Sequence, residues 1–156
     1  MSISIYPQSN VGPSITEEQV RKFENLLERP LPDDYKRYLL HRNGGVMEAK
    51  NGSVYFIQSG TGDDYYIFCL FSIDHPKSDC DLGSIWELCQ GNFPYHFLAI
   101  GDTGGGDLYC ISLGDDDYGQ IYYWNHEYEP YEPDYENCTL IANSFTEFAG
   151  SFRYAE

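Results

Sequence analysis

Apolar and polar residues alternate with two different periods along this chain. From Thr16 the apolar positions are spaced for a helix: Val20, Phe23, Leu26 and Leu27 make one stripe of "TEEQVRKFENLLE". Thr16 and Gln19 have capping-box spacing, Glu17 and Glu18 suit a helix N-terminus, and Pro30 is expected to end the helix. "LPDDYKRYLLHRNGG" predicts a second helix, with Pro32 in its first turn and Asp33 and Asp34 complementing the dipole. Tyr35, Tyr38 and Leu39 would form its buried face, and Asn43-Gly44-Gly45 would supply the left-handed stop. Before Thr16, Pro7, Gly12 and Pro13 break any period, so residues 1–15 read as an irregular arm and residues 16–156 as one domain.

After Gly45 the pattern becomes that of strands. Asn51-Gly52 between two short runs predicts a tight hairpin within "GVMEAKNGSVYFIQ". "DYYIFCLFSI" reads as one largely buried strand, and "DLGSIWELCQG" as a short helix with Ile85, Trp86 and Cys89 on one side. "YHFLAIGD", "DLYCISLG" and "QIYYWNHE" predict three successive strands joined by "TGGG" and "DDDYG". A loop, "YEPYEPDYENC", then leads to a terminal helix. There Ser144 and Glu147 repeat the capping spacing, and Phe145, Phe148, Ala149 and Phe152 face the core. The sum is an α+β domain: a mostly antiparallel sheet of about six strands packed by N-terminal helices and a C-terminal helix.

Composition narrows the class. With 156 residues the chain suits a single domain. No apolar stretch approaches the length of a membrane span, and the first residues lack the basic and apolar regions of a signal peptide. A cytoplasmic protein is expected. Five Cys, none in a Cys-x-x-Cys pair, predict reduced thiols, with no disulfide framework and no zinc site. Charge is the most uneven property. Residues 51–156 hold only Lys77 and Arg153 against eighteen Asp and Glu, whereas residues 1–50 balance at seven of each sign. The resulting −16 repels nucleic acid and anionic membranes and attracts basic partners.

Candidate chemistry is sparse. Asp102-Thr103-Gly104 has the letters of an aspartic protease, but that chemistry needs a second carboxylate sharing a proton. A phosphate cradle needs glycines feeding a helix, and these feed a strand. A tight turn is the better reading. "GDDDYG" (114–119) lacks the alternating ligands and terminal Glu of a calcium loop. His126 beside Glu127 has the elements of an oriented base, yet no nucleophile motif accompanies it, and an ordinary strand-end histidine is preferred. The Tyr-, Glu- and Pro-rich segment 128–136 is either a solvated excursion or a contact surface. No catalytic residue, cofactor or metal is expected.

Taken in order, these segments resemble the SUKH superfamily, which groups cell-wall-assembly-regulator-like proteins and bacterial immunity proteins. Leu31, Pro32, Tyr35, Asn43, Gly44 and Gly45 match its second-helix motif, and Gly101, Gly106 and Asp107 its strand–turn–strand signature. Trp124 matches the aromatic of the next strand, and Ser144 with Phe145 the start of the final helix. The resemblance spans about Thr16 to Phe152. It implies a non-catalytic binding protein that neutralises a cognate bacterial toxin of a polymorphic or contact-dependent system, with a scaffold linked to cell-wall synthesis or signalling as the alternative. A basic nuclease toxin would suit the acidic surface. Charge density and aromatic content then nominate Asp115, Asp116, Asp117, Glu127, Glu129, Tyr131, Glu132, Asp134 and Tyr135 as contacts, on a protein expected to be monomeric.

Overall fold

Two helices, α1 (Glu17–Leu27) and α2 (Asp33–His41), open the computed structural model, which describes residues 9–47, 55–58, 64–127 and 135–154. The α1 capping box forms as its spacing predicts: Gln19 N–H donates to Thr16 Oγ1 at 3.3 Å, and Thr16 N–H to Gln19 Oε1 at 3.0 Å. The helix stops before Pro30 is reached. Glu28 turns left-handed, with φ +59, and its N–H folds back onto the carbonyls of Glu24 and Asn25. Val20, Phe23 and Leu27 are buried, but Leu26 is 47% exposed, at the rim of the stripe.

α2 buries Tyr35, Tyr38 and Leu39 as expected and ends at His41, two residues before Asn43. Asn43 does not stop the helix; it ties distant segments together. Its Nδ2 donates to the Pro13 and Ile73 carbonyls at 2.9 and 2.8 Å, and its Oδ1 accepts from Ile73 N–H at 2.9 Å. Backbone groups of two distant segments, those of Ile73 buried, thus find partners on one side chain.

Among the described residues nine strands follow in chain order: β1 (Gly45–Val46), β2 (Tyr55–Gln58), β3 (Asp64–Tyr66), β4 (Cys69–Leu70), β5 (Phe97–Asp102), β6 (Leu108–Ser112), β7 (Ile121–Trp124), β8 (Cys138–Ala142) and β9 (Phe152–Tyr154). Helix α3 (Leu82–Leu88) precedes β5, and α4 (Phe145–Gly150) lies between β8 and β9. Six strands form an antiparallel sheet in the order β1-β4-β5-β6-β7-β8, and β3-β2-β9 form a second, smaller one. The α+β class is as expected.

The pairing corrects several local expectations. Asn51 and Gly52 lie outside the described residues, and the runs flanking them belong to different sheets. β1 has both edges occupied, by β4 on one side and by Ser9 on the other, so it cannot take β2. "DYYIFCLFSI" is two strands. The chain leaves the small sheet after Tyr66 and enters the large one at Cys69, with Ile67 buried and Phe68 half exposed between them. "CTLIA" forms the edge strand β8 where only a loop was expected. α4 ends at Gly150, so Phe152 reaches the core from β9 and not from a helix.

Side chains fill both faces of the large sheet. On one, Tyr109 of β6 meets Phe148 of α4 at 5.4 Å between ring centres, and Phe145 sits 5.0 Å from both Tyr35 and Tyr38. On the other, Phe97 stacks on Tyr122 at 4.9 Å, and Phe93 meets Trp124 edge-on at 5.6 Å. No two of the five cysteines form a disulfide with each other, and four of them are buried. Burial raises the pKa values of Cys69, Cys80, Cys89 and Cys110 above the ordinary thiol value.

Candidate partner-binding surface

The β6–β7 connection carries the acidic run and is a tightly folded turn. Gly119 N–H donates to Ser112 O at 2.8 Å, Gln120 N–H to Asp117 O at 3.0 Å, and Ser112 N–H to Gln120 O at 2.9 Å. Gly114 lies so close to the His96 ring that a Cβ would come within 2.7 Å of it. This path sends the three aspartates different ways. Asp115 and Asp116 face solvent, and Asp117 turns inward.

Asp117 is the hub of a hydroxyl network. It accepts from the Ser112 hydroxyl on Oδ1, and from Tyr122 (2.8 Å) and Tyr135 (2.6 Å) on Oδ2. Partial burial works to raise its pKa. The donors from Ser112, Tyr135 and Tyr122 outweigh that, and the carboxyl is held below the ordinary aspartate value. Since Tyr135 donates to Asp117, it accepts from His96 Nε2–H, 2.7 Å away. The Tyr135 ring packs edge-on against Phe97 at 5.1 Å and Tyr122 at 5.4 Å. The chain beyond β7 therefore returns to this end of the sheet and is tied down there.

Three partly exposed rings stand around the turn: Tyr95 at 77%, Tyr118 at 44% and Tyr135 at 40%. Each is held from behind. Tyr118 donates to Pro30 O at 2.9 Å. Arg29 donates to Leu113 O at 2.9 Å, and its guanidinium lies 5.4 Å over the Tyr95 ring. Aromatic anchors fixed before binding lose little conformational freedom in a complex, and the exposed Asp115 and Asp116 give the same face a negative field.

The structure divides the sequence-predicted contacts. Asp115, Asp116, Asp117 and Tyr135 meet at one end of β7, but Asp117 and Tyr135 direct their polar atoms at each other. Glu127 lies past the other end, its N–H donating to Asn125 Oδ1 at 2.9 Å. Glu129, Tyr131, Glu132 and Asp134 fall outside the described residues. Tyr95, Tyr118, Arg29 and His96 were not anticipated; for Tyr118 the adjoining acidic run was the available signal.

The far end of the sheet holds the Asp-Thr-Gly stretch. It is the turn from β5 to β6, closed by Thr103 N–H to Asp107 O at 3.2 Å. Gly104 and Gly106 adopt φ of +84 and +108. A Cβ on Gly106 would lie 2.9 Å from the His126 ring. Asp102 is pushed up to about 6, chiefly by burial, with the charge of Asp79 adding to it. His126 is oriented by Asp107, with Nδ1 2.5 Å from Oδ1, and not by its neighbour Glu127. Tyr123 donates to the other Asp107 oxygen. Burial opposes ionisation of Asp107, but the Tyr123 and His126 contacts prevail and keep it below the ordinary value.

The matched motif residues serve the framework. Leu31, Tyr35 and Phe145 are buried, and the Ser144 hydroxyl caps α4 by accepting from Glu147 N–H at 3.0 Å. A Cβ on Gly101 would meet Cys69 O at 2.7 Å where β5 passes β4. Among the described residues, no group of three or more His, Cys, Asp or Glu is placed to hold a metal ion. None of their helices is long and apolar enough to cross a membrane.

The chain is 30% identical, over 161 residues, to the SPbeta prophage-derived uncharacterized protein YokK of Bacillus subtilis (strain 168), covering 94% of this chain and 76% of that one. Residues 14–151 match the SMI1 / KNR4 family (SUKH-1), and the chain belongs to that family.

Proposed function

We propose that this protein is a non-catalytic immunity protein, which binds a cognate bacterial toxin domain and blocks it. The partner fitted by the charge is basic, as a nuclease that grips phosphate must be. The carrying observation is the face around the β6–β7 turn, where Tyr95 and Tyr118 are exposed, already tethered, and flanked by the solvent-facing Asp115 and Asp116. Family membership and the prophage origin of a relative support the reading.

The test is capture of basic toxin domains by the purified protein from an extract of the source cell, followed by co-expression with the domain recovered. Restored growth is expected, together with a 1:1 complex on a sizing column. Reversing Asp115 and Asp116 to Lys should slow association about tenfold at low salt, with the difference closing as salt rises. Unrelieved toxicity with no complex would overturn the proposal, and capture of cell-wall synthesis components in its place would favour a scaffold.

A further inference from the structure

At the end of the sheet remote from Asp115 and Asp116 there is a second feature. Tyr65, Tyr66, Thr103, Gly105, Asp107 and Tyr123 line a pocket of about 230 Å³. The four-residue strand β7 separates it from the acidic turn by about 13 Å. Its volume is below the ~300–1,000 Å³ of ordinary small-molecule sites and suits one long side chain. Tyr65 and Tyr123 form its aromatic wall, with ring centres 4.5 Å apart, and Tyr66 is 63% exposed at the rim.

We infer that this pocket receives an arginine side chain from the partner protein. The walls are π faces, and the charged group among the lining residues is the Asp107 carboxylate. Asp107 accepts His126 N–H and Nδ1 on Oδ1 and the Tyr123 hydroxyl on Oδ2. A carboxylate offers about four lone-pair directions, which leaves one on Oδ2. An anion would face the repulsion of that carboxylate, with no Lys or Arg among the described lining residues to offset it. An apolar occupant would strip its water without replacement. A guanidinium satisfies both surfaces, because it is planar, weakly hydrated and stacks on aromatic rings. The molecule already makes this pairing within itself, where Arg29 lies over Tyr95.

The inference rests on the reading of a basic protein partner, but its test needs no partner. The purified protein is titrated with N-acetyl-arginine amide and, separately, with the neutral citrulline analogue, and followed by NMR. Saturable shifts of the Thr103 and Gly105 amides, with upfield ring-current shifts of the arginine δ protons, are expected for arginine alone. Tyr66→Ala removes an exposed ring with little effect on folding and should weaken binding about two- to fivefold. The inference is overturned by equal binding of citrulline, by shifts that map elsewhere, by a Tyr66→Ala affinity equal to the parent, or by no saturable response up to about 50 mM. A failed toxin rescue beside intact arginine binding would instead count against the immunity reading alone.

Discussion

Removing the carboxylate at the centre of the acidic turn gives the sharpest test of how this surface is built. Asp117→Ala takes away the acceptor of three hydroxyls, those of Ser112, Tyr122 and Tyr135. Hydrogen bonds to a charged group are worth about 1.5–3 kcal/mol each, so a simple sum over the three runs from about 4.5 to 9 kcal/mol. The structure argues for much less. Tyr135 keeps His96, Tyr122 keeps Gln120 Oε1 at 3.3 Å, and Ser112 Oγ keeps Gly114 N–H at 3.2 Å. Asp117 is also only partly buried, and water replaces some of what is lost. A cost of about 2 kcal/mol is expected, or a drop in melting temperature of about 4–8 °C for a domain of this size. The assay is urea and thermal unfolding of parent and variant at several pH values. Because the folded-state pKa of Asp117 is depressed, its contribution is complete above the unfolded value of 3.8 and fades as pH falls through the folded value. The gap between parent and variant should therefore be full at neutral pH and close in acid. A gap below about 0.5 kcal/mol, or one that is the same at every pH, would refute this account of the network.

Asp102→Asn should do the opposite. Asp102 is raised to about 6 in the fold, so its charged form costs stability at neutral pH, and its protonation restores stability as pH falls from 7 towards 4. The variant should melt higher than the parent at pH 7, with the difference vanishing near pH 4. Asn43→Ala leaves the Ile73 amide and the Pro13 and Ile73 carbonyls without partners and should cost about 3 kcal/mol in urea unfolding. Gly106→Ala forces an L residue to φ +108 and a methyl against the His126 ring, so a loss of about 1–3 kcal/mol is expected in the same assay. Native-state labelling with a thiol reagent should modify Cys138 first, and the four buried cysteines should react only after denaturant is added.

What the sequence revealed depended on how far apart the interacting residues lie. Thr16 and Gln19 are three positions apart, and their capping box was legible because both partners sit in one helical turn. Tyr35, Tyr38 and Leu39 were legible for the same local reason. The β5–β6–β7 meander was readable because short turns rich in Gly and Asp separate clear apolar runs. Asp117 looked like one more solvent-facing acid because the groups that turn it inward include Tyr135, eighteen positions away. The Asn51-Gly52 signal misled because a turn preference does not reveal that the edges of β1 are already occupied. β8 escaped notice because an edge strand with exposed Thr139 and Leu140 lacks a clear alternation. The acid-rich half was visible from composition, but which acids face outward is a tertiary fact.

The pairing of β2 with β9 has a consequence for the order of assembly during synthesis. Ile57 opposes Phe152, so the small sheet joins positions nearly one hundred residues apart, whereas β5 to β8 are each joined to the next along the chain. Contacts between distant positions form slowly, because a long loop must close before they are made. During synthesis the strands of the meander emerge before β9 does, and their local contacts can form first. The nascent chain would then carry β2 without β9, its partner on one side, until residue 154 emerges.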